Sequence, residues 1–335
     1  MLSAKAPGKL ILSGEHSVVY GAPAIAVAVT NTVTATFTPS ESKFISLNSS
    51  AFADDDSSSR VLFATLNDLV ERLDNRFEQF LKGTLPIQSV LDSPQELLLY
   101  TAYQAGIKQS GSISISSDIP TGAGMGSSAA VIAAILKMFE STSSEEVAES
   151  LKPNFFRNVK YCERLQHGRG SAIDAAAVTY GGMIKVQGDS VSPVSVEIGQ
   201  GWYRYDTGTP CCSTGETVAV VRKKFSESDI WKRFSRTTEQ FEASEGKVES
   251  LFSAIQDNHQ LLNEIGVVPT DVAHLIEKIE CLGGAAKICG AGAHTGQSAG
   301  QILVFLPDQN VDEISEKIGI SLIPLEQQSD GAYRE

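Results

Sequence analysis

The chain has 335 residues, 42% hydrophobic and 20% charged, which is the balance of an ordinary globular protein long enough for two domains and not that of a disordered chain. Its formal charge of -13 argues against nucleic acid or an anionic membrane surface as the main partner, because both reward a basic face. The N-terminal apolar run before Ser13 is too short for a signal h-region, no run reaches the length of a membrane span, and five cysteines without CxxC spacing suggest neither a disulfide framework nor a zinc site, so reduced thiols in the cytoplasm are expected.

In chain order, Pro7 and Gly8 read as a loop, residues 9–13 as a short strand, 20–23 as a turn, and 24–37 as a longer strand. The apolar run AIAVAV passes into the alternation TNTVTATF, as when a strand leaves the core for an edge, so the sheet is expected to be mixed or antiparallel. Residues 49–60 are polar and charged, a solvated loop. Helical periodicity covers 61–81 and 94–107; 112–116 alternates as a strand, and 129–139 is apolar nearly all round, a helix of the core. Residues 153–165 form an amphipathic helix ending at Gly168 and Gly170. A small-residue helix then begins around Asp174, and a strand covers 183–186. A polar stretch near 187–200 divides the chain into units 1–187 and 188–335. In the second unit 202–205 and 217–221 read as strands, 229–265 and 270–281 as helical, and 285–289, 301–305 and 311–318 as strand, strand and helix, an α+β arrangement with helices on one face of an antiparallel sheet.

Residues 118–134, DIPTGAGMGSSAAVIAA, break from a β-like run into Gly122, Gly124, Met125 and Gly126, pass Ser127 and Ser128, and enter the apolar helix. Glycines open backbone conformations closed to other residues, and unpaired N–H groups at a helix start favour an anion. A Walker loop is excluded, since Gly126 is followed by Ser-Ser-Ala and not by Lys-Ser/Thr; the G-x-G-x-G spacing excludes the dinucleotide fingerprint. Taken alone, the stretch is as well read as a strand-to-helix turn that binds nothing. An acidic protein that binds a nucleotide needs local cations and a divalent metal, which makes each lysine beside a glycine loop informative.

Phosphoryl transfer asks for a phosphate cradle, a metal on hard oxygens, a nearby cation and a carboxylate for the acceptor hydroxyl. Ser128 can offer a hydroxyl to Mg2+, and Glu163 a carboxylate. Separately, Ser128 is as easily a helix cap and Glu163 a solvated face. Glu163 and Asp174 would stand ~16 Å apart on one continuous helix, but the break at Gly168 and Gly170 lets the chain fold back. Asp174 leads an alanine run rather than a solvated face, its other reading being an N-cap. Lys9, flanked by Leu10, Ile11 and Leu12, can pair with it.

These stretches, in this order, resemble the GHMP kinase superfamily, and within it the mevalonate kinase branch. APGKLILSGEHSVVYGAPAIAVAV looks like the first motif, DIPTGAGMGSSAA the second, and ERLQHGRGSAIDAAAVTYGG the segment with the metal-binding glutamate and catalytic aspartate. The resemblance implies a two-domain α+β fold, with a ribosomal-protein-S5-like N-terminal domain and a ferredoxin-like C-terminal domain. It implies ATP and Mg2+ as cofactors and mevalonate as acceptor, in isoprenoid precursor biosynthesis. Ser128 and Glu163 then resemble the magnesium ligands, Asp174 the base and Lys9 the lysine beside it. Gly122, Gly124, Met125, Gly126, Ser127, Gly290 and Gly292 fall in nucleotide-binding motifs, and His16, with Glu15 and Thr214, at acceptor-binding positions. HSVVYG after GEH differs from the galactokinase wording, which disfavours a sugar. The chain departs from the family in reading KICGAGAHTGQSAG where GAGGGG is usual, and in carrying Cys212 where many mevalonate kinases place an arginine. Phosphomevalonate kinase or another small-molecule kinase is the nearest alternative, and a nucleotide-binding regulator with a decayed site the remote one. A homodimer stays open.

Overall fold

The computed structural model describes residues 1–49, 60–120, 122–140 and 145–335, with 145–150 described by backbone alone. Of the stretch 49–60 expected as a solvated loop, residues 50–59 lie outside the described residues, while Ser49 ends one strand and Arg60 begins another.

The first half runs β1 (Leu2–Ser13), β2 (Ala24–Pro39), β3 (Phe44–Ser49), β4 (Arg60–Leu62), α1 (Leu66–Leu81), α2 (Pro94–Gln104), β5 (Gly111–Ser117), α3 (Ser127–Phe139), α4 (Glu145–His167), α5 (Ala172–Tyr180), β6 (Met183–Gln187) and β7 (Ser190–Pro193). Its spine is β2. One edge pairs with β1 along its length; on the other, residues 24–27 pair with β6 and 33–39 with β5, all antiparallel. The change of pattern within β2 follows from this: its first six residues are buried, and after Val29 burial alternates. The sheet is mixed because β3 joins β5 in parallel. The loop expected at Pro7 and Gly8 is part of β1, which absorbs them in a register shift between the two residues. Such an irregularity tolerates a residue without an N–H. Helix α4 also begins earlier than the sequence suggests, at Glu145, with Pro153 inside it. Buried Phe156, Val159, Cys162 and Leu165 anchor it at helical spacing.

The second half comprises β8 (Trp202–Asp206), α6 (Thr214–Phe225), α7 (Ile230–Ala243), α8 (Val248–Glu264), α9 (Thr270–Cys281), β9 (Ala285–Ile288), β10 (Gln301–Phe305), α10 (Val311–Ile318), β11 (Ile323–Pro324) and β12 (Tyr333–Arg334). A second antiparallel sheet has the order β11-β8-β10-β9. The strand expected at 217–221 is instead the middle of α6. Ser213 and Glu216 form a reciprocal capping box that starts the helix, and buried Thr217 and Val221 lie one turn apart on its inner face. The β-branched run suggested a strand, but the S-x-x-E signal just before it decides for helix.

The last strand, β12, does not stay with the second sheet. It pairs with Ala4 and Lys5 of β1, and Ala332 N–H donates to Val178 O at 2.7 Å. The division expected at residue 187 stays a proposal, with β7, which pairs with β6, and residues 327–335 belonging with the first sheet.

Candidate active site

The glycine loop is held by alternation. Ala123 and Met125 are buried, while Gly122 and Gly124 face outward, and Gly122, Gly124 and Gly126 all have φ between 71° and 74°. That left-handed region is costly for any residue with a Cβ. Gly126 is the N-cap of α3 with no side-chain cap, so the first-turn N–H groups behind Ser127 and Ser128 remain open to an anion. The Met125 side chain lies in the core, which corrects the expectation of a nucleotide contact through it: only its backbone faces the loop, and Met125 O accepts from Lys9 N–H at 2.9 Å.

The same β1 lysine crosses beneath the loop. Lys9 is 3% exposed; its ammonium donates to Gly124 O at 2.9 Å and lies 2.9 Å from Asp174 Oδ1. A Cβ on Gly126 would lie 3.0 Å from Lys9 Cγ, so this glycine makes room for the lysine stem. The N-cap of α5 is Ser171, whose hydroxyl accepts from Asp174 N–H, so capping does not occupy the Asp174 carboxylate. Glu163 comes from the end of α4, is 2% exposed and accepts from Ser171 N–H at 2.8 Å. Burial, and then repulsion from Asp174, push its carboxyl well above the usual range, against the pull of Ser171 N–H and Lys9. The glycine break at 168–170 thus brings both carboxylates and Lys9 into mutual electrostatic reach, as the sequence suggested.

A buried carboxyl whose proton affinity is raised by burial and by a neighbouring carboxylate fits a divalent cation. No group of three or more His, Cys, Asp or Glu side chains forms a complete metal cage among the described residues. A magnesium held by one carboxylate, one hydroxyl, waters and phosphate oxygens does not require such a cage. Ser128, half-buried on the first turn of α3, donates its hydroxyl to Gln166 Oε1 at 2.8 Å. Sequence reasoning missed Gln166, although it stands one turn after Glu163 on α4.

Acceptor-side expectations divide. His16 is 5% exposed, sits at φ 59°, and its Nε2 is 2.9 Å from Ala291 O, so that nitrogen carries the proton. Burial lowers its pKa and keeps the ring neutral. The Glu15 side chain is fully buried, ion-paired with Lys287 and accepting from Asn258 Nδ2 at 3.0 Å, so its carboxylate is held inside the fold, and its acceptor role stays a proposal. Thr214 is exposed on the first turn of α6. In the third motif, Gly290 packs beside Gly124 O, joining the two glycine loops. At Gly292 a Cβ would lie 2.2 Å from Val267 O, so packing requires glycine there, and a nucleotide contact through its backbone stays a proposal. Cys212 is half-buried with its Sγ 3.4 Å from Thr217 Oγ1.

The model of the GHMP kinases N terminal domain matches residues 94–182, from α2 through α5. The chain is 31% identical over 316 residues to a mevalonate kinase of Pyrococcus abyssi, spanning 87% of this chain and 86% of that protein. The chain belongs to the mevalonate kinase family of GHMP kinases. Within the wider superfamily the fold is shared: the Methanococcus jannaschii mevalonate kinase superposes with a TM-score of 0.72 at 19% identity, covering 99% of this chain and 96% of that one. A Streptococcus pneumoniae phosphomevalonate kinase in complex with phosphomevalonate and AMPPNP gives 0.71 at 17% identity, over 98% and 100%. One fold therefore serves different acceptors in this superfamily, and the family assignment rests on the sequence match.

Proposed function

We propose that this chain is an ATP-dependent mevalonate kinase that moves the γ-phosphate of ATP to the primary hydroxyl of mevalonate in the cytoplasm. The observation that carries the reading is the Lys9–Asp174 contact, 2.9 Å long, beneath a glycine loop and beside buried Glu163. Asp174 is the base that orients and deprotonates the acceptor hydroxyl. Lys9 pairs with that carboxylate and balances charge developing at the transferring phosphoryl group. The triphosphate rests on the N–H groups of the loop and of the α3 start. Glu163 and Ser128 would hold magnesium, which would supply charge neutralisation at the transferring phosphates. His16, its Nε2–H donated to Ala291 O, offers the acceptor the other ring nitrogen, Nδ1, as a hydrogen-bond acceptor.

Support for the acceptor comes from the Pyrococcus abyssi relative, named a mevalonate kinase, and support for the compartment from five free thiols. No helix among the described residues is long and apolar enough to cross a membrane. The test is ATP consumption over mevalonate, phosphomevalonate, galactose and homoserine, run beside Asp174→Asn. Mevalonate should be preferred, and Asp174→Asn should lower kcat by about 10²- to 10⁴-fold with ATP binding retained. ATP binding without turnover on any acceptor would refute the kinase reading; preference for phosphomevalonate would refute the acceptor alone.

A further inference from the structure

The walls of the cleft come from different sheets, and something must fix them to each other. Lys287 is a lysine in the buried strand β9 with no exposed surface. Its ammonium meets Glu15 Oε1, Ile11 O at 3.1 Å and Ile288 O at 2.8 Å, an acceptor for each of its three protons. The other Glu15 oxygen takes Asn258 Nδ2 from α8 at 3.0 Å. Asn258 Oδ1 in turn accepts from Ser13 Oγ at 3.3 Å, and Ser13 Oγ is 2.8 Å from Thr238 Oγ1 of α7. This buried polar chain therefore ties the end of β1, in the first sheet, to α7, α8 and β9 around the second.

Both ends of the chain emerge at the cleft. Next to Glu15 stands His16, in the left-handed region that a residue with a Cβ holds only when its surroundings over-determine it. Three residues after Lys287 stands Gly290, packed against Gly124 of the phosphate loop, and His16 Nε2 bonds Ala291 O in the same segment. A buried pair of this kind is weak evidence for stability, because desolvation offsets its attraction, and geometric specification is the role left to it.

We propose that Lys287 is a positioning residue of the acceptor site: through Glu15 it holds His16 in its strained conformation and fixes it to the third glycine loop. The inference rests on the kinase reading above. Lys287→Met alone strands a buried carboxylate and is expected to unfold readily. The double variant Glu15→Gln/Lys287→Met removes both charges while keeping side chains of similar volume, and is the informative protein. With mevalonate and ATP it should fold, keep its affinity for a non-hydrolysable ATP analogue within about twofold, and show an acceptor KM raised by about tenfold or more. Without any acceptor, the His16 ring resonances should shift and the amides of 289–293 should exchange faster than in the wild type. A folded double variant with unchanged acceptor KM, unchanged His16 resonances and unchanged exchange would overturn the proposal, as would equal losses of nucleotide and acceptor affinity. If the wild type fails to use mevalonate, the acceptor assignment falls, while the resonance and exchange readouts still decide the role of Lys287.

Discussion

Gly126→Ala separates the cost of a strained backbone from the cost of moving a catalytic lysine. At φ 71° an added Cβ meets the intrinsic left-handed penalty, about 1–2 kcal/mol. The same Cβ would lie 3.0 Å from Lys9 Cγ and 3.2 Å from Lys9 Cε, so the stem must give by a few tenths of an ångström. Lys9 Nζ has little room to yield, since it is held 2.9 Å from both Gly124 O and Asp174 Oδ1. Gly83→Ala supplies the matched control: φ is 72°, and an added Cβ meets nothing within 4 Å. Thermal unfolding should therefore show a similar loss for Gly83→Ala and Gly126→Ala, with an extra increment for the latter. Steady-state turnover should separate them fully: Gly83→Ala keeps the wild-type kcat, and Gly126→Ala loses about 10- to 100-fold, the scale of a misplaced catalytic group. Wild-type kcat in Gly126→Ala, together with the expected loss of stability, would show that the Lys9–Asp174 contact does not depend on this glycine and would refute the reasoning.

The remaining predictions concern the metal and the pH dependence of stability. Ser128→Ala should raise by about tenfold the magnesium concentration for half-maximal turnover and leave nucleotide affinity near the wild-type value; equal loss of both would return Ser128 to a structural role on α3. His259 is buried, and desolvation first and Lys287 second lower its pKa to about 4. Because the folded state then binds fewer protons than the unfolded state between about pH 4 and 6.5, the contribution is complete above pH 6.5 and fades as pH falls toward 4. The full loss is about 3 kcal/mol. Urea titrations across that window should show the decline, and His259→Gln should flatten it; an unchanged slope in the variant would assign the acid sensitivity to other groups.

The parts of the site legible in the sequence are those whose signal is local. The glycines announce left-handed turns because no other residue takes them cheaply, and Ser128 and the apolar run behind it mark a buried helix start. The break at Gly168 and Gly170 announced that the chain could fold back between Glu163 and Asp174, and Glu163 accepts from Ser171 N–H at 2.8 Å, just before Asp174. Where local signals compete, the reading went astray. The β-branched residues of α6 suggested a strand, although Ser213 and Glu216 cap a helix.

What the sequence by itself determined is the chemistry available: a phosphate loop without a Walker lysine, two carboxylates on either side of a turn, and a lysine in an apolar strand more than a hundred residues upstream. Tertiary structure alone decided which side chains face the cleft. Glu15 and Lys287 stand 272 residues apart and look like ordinary charges in the sequence, yet the fold closes them into one buried pair. Packing requires glycine at 292 only because Val267 lies against it. The physical reason is the same in each case. Backbone preference is written in a few neighbouring residues, whereas burial, and with it the requirement that a charge find a partner, belongs to surroundings that exist only once the two sheets have come together.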